Sequence, residues 1–115
     1  MAEGEPADPR WRKIAGLIGL GARGRLVVVG VAQVRDAAKR GRVYVAIVAP
    51  DVSRHSKDKI LPLLKARHIT TVEGPSAAAL GAAVGRETTA VVGIVDRDLA
   101  RGVRAAWNAT PAATP

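Results

Sequence analysis

Val43-Tyr44-Val45-Ala46-Ile47-Val48-Ala49 is apolar at odd and even positions alike. A strand with one wet face alternates apolar and polar residues, so an unbroken run of this length reads as a central strand covered on both faces. The chain must then pack something against each side of a sheet. At 115 residues it is long enough for one domain with a single core.

Helical and extended patterns alternate along the sequence. Asp8-Pro9 sets an N-cap before a proline at the first helical position. Trp11, Ile14, Ala15, Leu17, Ile18 and Ala22 follow at helical spacing, ending near Gly21 or Gly24. Leu26–Val29 reads as a short strand. Val31–Arg40 reads as a helix with Val34, Ala37 and Ala38 inward, closed by Gly41. After the turn Pro50–Ser53, a helix over Ser56–His68 packs Ile60, Leu61, Leu63 and Leu64, with Pro62 as a kink or a break. Ile69–Val72 is a strand, Gly74-Pro75-Ser76 leads a helix to about Val84, Thr89–Val95 is a second strong strand, and Asp96–Trp107 is a last helix. The alternation predicts a three-layer α/β/α sandwich with a small mixed sheet of about four strands. The domain spans 9–107, with residues 1–8 and 108–115 read as disordered tails.

The net charge is +8, which calls for an anionic partner. Half of the eighteen lysines and arginines fall between Arg10 and Arg42, against the single acid Asp36. Inside that stretch, Leu26–Val34 is an apolar run that meets Gly30 and turns into an amphipathic helix. A helix start presents unpaired backbone N–H groups and the positive end of a dipole. Among so many cations it is placed to receive a phosphate backbone. The aromatics are Trp11, Tyr44 and Trp107, too few for the stacking platforms of single-strand binders.

Other chemistries find little support. No cysteine is present, which removes disulfides and Cys-based zinc sites. Gly19-Leu20-Gly21-Ala22-Arg23-Gly24 has the spacing of a dinucleotide fingerprint. A helical pattern precedes it and an extended run follows, the reverse of what phosphate binding needs. His55 and His68 have no third ligand or triad partner at a useful spacing. No enzyme and no cofactor is expected. No apolar run reaches the roughly 18 residues of a membrane span, and the acidic start Met1–Glu5 is unlike a secretory signal, so a cytoplasmic protein is expected.

Four segments then stand in a telling order: Gly30-Val31-Ala32-Gln33-Val34, Val45–Ala49 with Asp51-Val52, Leu61-Pro62-Leu63-Leu64, and Leu80-Gly81-Ala82-Ala83-Val84-Gly85. Over roughly residues 12–106 the chain resembles the kink-turn-binding ribosomal protein family, which includes archaeal ribosomal and snoRNP core proteins, eukaryotic relatives and small bacterial YlxQ-type paralogues. The resemblance implies an RNA-binding protein, ribosomal or ribosome-associated, that recognises a kink-turn or related internal loop. In that family a Gly-x-Asn-Glu motif opens the helix after the first strand and reads sheared G·A pairs. Here Gly30 and Val31 keep the start, Ala32 stands at the Asn position, Gln33 at the Glu position, and Asp36 where the family has Lys. Gln33 is able to donate and accept against a base edge.

By the same resemblance, the turn Asp51-Val52-Ser53 with Lys57 corresponds to a pocket for an extruded base. The loop Gly85–Ala90 corresponds to a specificity loop, with Arg86, Glu87, Thr88 and Thr89 in contact with RNA. Arg23, Arg25, Arg35 and Lys39 are read as phosphate contacts, which give affinity without sequence preference. The expected partners are structured RNA, ribosomal or kink-turn-like, and ribosome-associated proteins, with the chain itself a monomer. The other open reading is a protein-interaction module of the same fold. Ala32 and Asp36 motivate it, together with Val27–Val29 as an exposed apolar edge.

Overall fold

The computed structural model describes residues 8–109. Five helices and four strands alternate: α1 (Pro9–Arg23), β1 (Val27–Val29), α2 (Val31–Lys39), β2 (Val45–Val48), α3 (Arg54–Ala66), β3 (Thr70–Glu73), α4 (Ala77–Ala83), β4 (Val91–Ile94) and α5 (Arg97–Asn108). The tails expected over 1–8 and 108–115 lie mostly outside the described residues, while Asp8 caps α1 and Asn108 ends α5.

The strands form one mixed sheet in the order β1-β4-β2-β3. β4 runs antiparallel to both β1 and β2, and β3 lies parallel to β2. All four residues of β2 and all four of β4 are buried, as two central strands require. Val45, Ile47, Val92 and Ile94 face α1, α4 and α5, while Ala46, Val48 and Val91 face α2 and α3. The expected three-layer sandwich is therefore present.

α1 and α5 lie antiparallel against each other. Arg10 joins their ends: its guanidinium holds Asp8 in a bidentate pair, donates to the Trp107 carbonyl at 2.9 Å and sits 4.3 Å over the Trp107 ring. The guanidinium beside Asp8 keeps that carboxyl below its ordinary pKa. Because the folded value is depressed, the pair stabilises the fold above the unfolded carboxylate range and is lost as pH falls through the lowered value.

The helix ends explain how so short a chain turns so often. α1 to α4 each close with a pair of bonds from the two residues beyond the cap back to the last turn, for example Gly41 N–H to the Ala38 carbonyl at 3.0 Å and Arg42 N–H to the Ala37 carbonyl at 2.9 Å. The residue that turns left-handed is glycine after α2 and α4. It is Arg25 (φ 62°) after α1 and His68 (φ 56°) after α3.

Three expectations change. α3 starts at Arg54, earlier than Ser56, because the Ser53 hydroxyl accepts the Ser56 N–H at 3.1 Å. The helix also continues through Pro62, which is exposed, so the lost hydrogen bond falls on the solvent side. Leu61, expected in the core, is 38% exposed, while Ile60 and Leu64 take the buried positions.

Two glycines set the backbone around the upper edge of the sheet. Gly30 adopts φ +98°, and a Cβ there would meet nothing within 4 Å. Gly81 is different: a Cβ would come within 2.6 Å of Thr88 Cα and 2.7 Å of Thr88 N, so α4 packs directly on the following loop. Gly30→Ala should cost about 1–3 kcal/mol of backbone strain. Gly81→Ala should cost about 1–3 kcal/mol by overpacking against main chain that has nowhere to go. As a control, Gly16→Ala at an exposed position of α1, with open space around its Cβ, should stabilise by about 0.5–1 kcal/mol through helix propensity. Urea denaturation midpoints check all three.

Candidate nucleic-acid interface

The carboxyl ends of β1, β2 and β3 meet the start of β4 along one edge of the sheet. Three hydrogen bonds stitch that edge together: Gly30 N–H to the Val91 carbonyl, Ala49 N–H to the Ala90 carbonyl and Gly74 N–H to the Val48 carbonyl, each 2.9 Å. The segments singled out in the sequence arrive there from separate parts of the chain.

The first is the start of α2. Gly30 is its N-cap and offers no side-chain acceptor, and the first intrahelical bond runs from Val34 N–H to the Gly30 carbonyl at 2.9 Å. The N–H groups of Val31, Ala32 and Gln33 therefore point out of the helix end without a helical partner. Val31 is half-buried, and Ala32 and Gln33 are exposed. With no acid in the first turn, the positive end of the helix dipole stays uncompensated at the surface.

The second is the turn after β2. Asp51 accepts the Ala77 N–H at 2.7 Å, which ties this turn to the start of α4. Ser53 is exposed, yet its hydroxyl is engaged with Ser56 as the cap of α3. Lys57 is half-buried in a groove with Val48, Ala49, Pro50, Leu61, Thr71 and Glu73. Its stem covers apolar surface there.

The third is the loop from Val84 to Ala90. It doubles back along α4, from Arg86 N–H on the Gly81 carbonyl (2.8 Å) to Thr89 N–H on the Ala77 carbonyl (3.1 Å). Arg86, Glu87 and Thr88 are exposed along this path. Thr89, expected to touch a ligand, is only 8% exposed and gives its hydroxyl to the Val91 carbonyl at 3.3 Å. It anchors the loop.

The remaining cations lie elsewhere. Arg35 is half-buried and donates to the Lys59 carbonyl, bracing α2 against α3. Arg23 shares a groove with Gly19, Leu20, Val84 and Gly85, between α1 and the end of α4. Arg25 and Lys39 stand at the opposite edge of the sheet, where β1 begins and α2 ends. The sequence brought them close to Gly30 along the chain, but α2 and β1 each run away from it. Asp36 pairs with Arg40 at 3.3 Å, one helical turn on.

His55 joins the site without having been expected. It is exposed in a groove with Val31, Ala32, Arg35, Ser56 and Lys59, between the first turns of α2 and α3. Nothing in its sequence neighbourhood marks it, because the groove depends on how two helices pack on one face. Among the described residues no group of three or more His, Cys, Asp and Glu is placed to hold a metal ion, and no helix is long and apolar enough to cross a membrane.

No curated protein matches the chain. Among solved structures, a protein of unknown function from Bacillus halodurans superposes with a TM-score of 0.78 at 30% identity, over 84% of this chain and 98% of its own. A 15.5 kD RNA-binding protein of Giardia lamblia superposes with a TM-score of 0.71 at 22% identity, over 86% of this chain and 92% of its own. Residues 12–102 match the family described as ribosomal protein L7Ae/L30e/S12e/Gadd45, and the chain belongs to that family.

Proposed function

We propose that this protein binds structured RNA through the upper edge of its sheet, recognising a kink-turn or a related internal loop in a ribosome-associated role and without catalysis. The observation that carries the reading is the exposed start of α2. Three backbone N–H groups without helical partners stand there beside Gln33, at a helix end with no neutralising acid. Family membership, the RNA-binding description of the Giardia relative and a net charge of +8 support it.

In this reading the N–H groups of Val31, Ala32 and Gln33 meet phosphate or base-edge acceptors, and the Gln33 amide reads a base edge. Arg86 adds a phosphate contact and Thr88 a hydroxyl, while Thr89 and Asp51 position the segments that carry them. His55 extends the surface toward α3. Ser53 acts chiefly through its backbone turn, because its hydroxyl caps α3.

The rival reading, a protein-interaction module, drew on Ala32 and Asp36 and on β1 as an exposed apolar edge. β1 is an edge strand, but Val27 and Val29 pack toward α1, α4 and α5, and Val28 packs toward α2. The half-buried valines leave β1 less apolar surface than the rival reading expects, while Ala32 and Asp36 still favour it.

The test is a titration into a labelled kink-turn RNA and into the same stem with its G·A pairs replaced by Watson–Crick pairs, at two salt concentrations. Tight binding to the first alone is expected, with affinity falling steeply as salt rises. Gln33→Ala should lower kink-turn affinity by roughly 5- to 100-fold, the value of one good base-edge contact, and should erase the preference for G·A pairs. Arg86→Ala should weaken both RNAs alike and lower the log–log salt slope by about 1. Equal binding to both RNAs by the unaltered protein contradicts kink-turn recognition. A salt slope near zero contradicts RNA binding.

A further inference from the structure

We propose that the groove beside α2 is a second RNA-backbone contact, carrying the phosphates of a stem away from Gln33 toward the opposite edge of the sheet. The proposal rests on the RNA-binding reading above and extends it from the start of α2 to cations that the three edge segments do not include.

The groove is lined by Arg25, Val28, Ala32, Gln33, Asp36 and Arg42, among others. Gln33 belongs to the first turn of α2, whereas Arg25 precedes β1 and Arg42 follows α2 at the other edge. On α2 the groove runs from Ala32 to Ala37, about 8 Å at 1.5 Å per residue, and it reaches Arg42 beyond the helix. A strand leaving Gln33 along α2 would lie over it.

Its electrostatics ask for an anion. Arg25 and Arg42 are both exposed, and neither has an ion pair or side-chain hydrogen bond among the described residues. The one carboxylate in the groove, Asp36, is engaged by Arg40 at 3.3 Å. Two guanidinium groups without partners among the described residues line this groove, and RNA phosphates there would give each a charge-assisted contact.

Both cations are also held on fixed backbone. Arg42 follows Gly41 in the closing motif of α2, with its N–H on the Ala37 carbonyl at 2.9 Å. Arg25 occupies the left-handed position of the matching motif of α1, at φ 62°, with Leu26 N–H on the Gly21 carbonyl at 2.8 Å. Glycine is the favoured residue at that position. An arginine there keeps strain in the backbone and, in exchange, puts a cation over the groove.

The test compares Arg25→Gly and Arg42→Ala with the unaltered protein on two kink-turn RNAs, one with full flanking stems and one with a stem trimmed to a few base pairs, each stem being trimmed in turn. His68→Gly is the control, since it relieves the same strain after α3 and lies outside the groove. On the full-length RNA, Arg25→Gly and Arg42→Ala should each weaken binding roughly threefold to tenfold and lower the salt slope by about 1. Trimming the stem that lies in the groove should abolish both effects. Arg25→Gly and His68→Gly should both raise the urea midpoint, and His68→Gly should leave RNA affinity unchanged. Unaltered affinity and slope in the two arginine variants overturn the proposal, as does an equal loss whichever stem is trimmed. Saturable binding of inorganic phosphate that disappears in Arg25→Gly assigns the groove to a free anion and overturns the RNA assignment. If the unaltered protein binds neither RNA, the RNA-binding reading itself fails, and that result registers before any variant is compared.

Discussion

The upper edge of the molecule hangs from residues 89–91, where the chain enters β4. The Val91 carbonyl fixes Gly30, the Ala90 carbonyl fixes the turn after β2, and Thr89 fixes the start of α4. Because β4 sits between β1 and β2 and runs against both, its start reaches segments that are otherwise far apart in the chain. β4 is apolar and buried on both faces, so its register rests on shape and not on polarity. Gly93 completes this arrangement: a Cβ there would come within 3.2 Å of Val28 and 3.3 Å of Val34, so its absence lets α2 settle on the sheet. The geometry of the helix start presented at the surface follows from that close packing.

Much of this was legible in the sequence because local signals and global fold agree. The double-sided apolar run at 43–49 implied a covered sheet. Asp8-Pro9 implied the start of α1, and Gly41 the end of α2. Strand pairing was less accessible, since apolar periodicity says which face is buried and nothing about which strand lies alongside. The insertion of β4 between β1 and β2 pairs segments far apart in the chain, and no short stretch of sequence encodes it. For the same reason Arg25 and Lys39, near Gly30 in sequence, were grouped with it. A strand and a helix of ordinary length carry them to the far edge.

Other differences concern single side chains. Thr89 reads as a loop hydroxyl, but Gly81, with no side chain, lets the loop lie directly on α4, and that path buries it. The left-handed turns at Arg25 and His68 lack the glycine that makes such a position visible. Ser53 and Asp51 were expected to face a ligand, and both spend side-chain acceptors on helix starts. The surface that results owes more to backbone donors and cations than to a dense set of polar side chains.

The central claim is that the exposed start of α2 meets RNA. Backbone amide NMR shifts, followed as unlabelled kink-turn RNA is added, test it most directly. The account predicts the largest changes at Val31, Ala32, Gln33 and Thr88, with Ile14, Ile18 and the rest of the α1–α5 face unmoved. Changes concentrated on α1 and α5, with the amides of residues 31–33 unaffected, would contradict it.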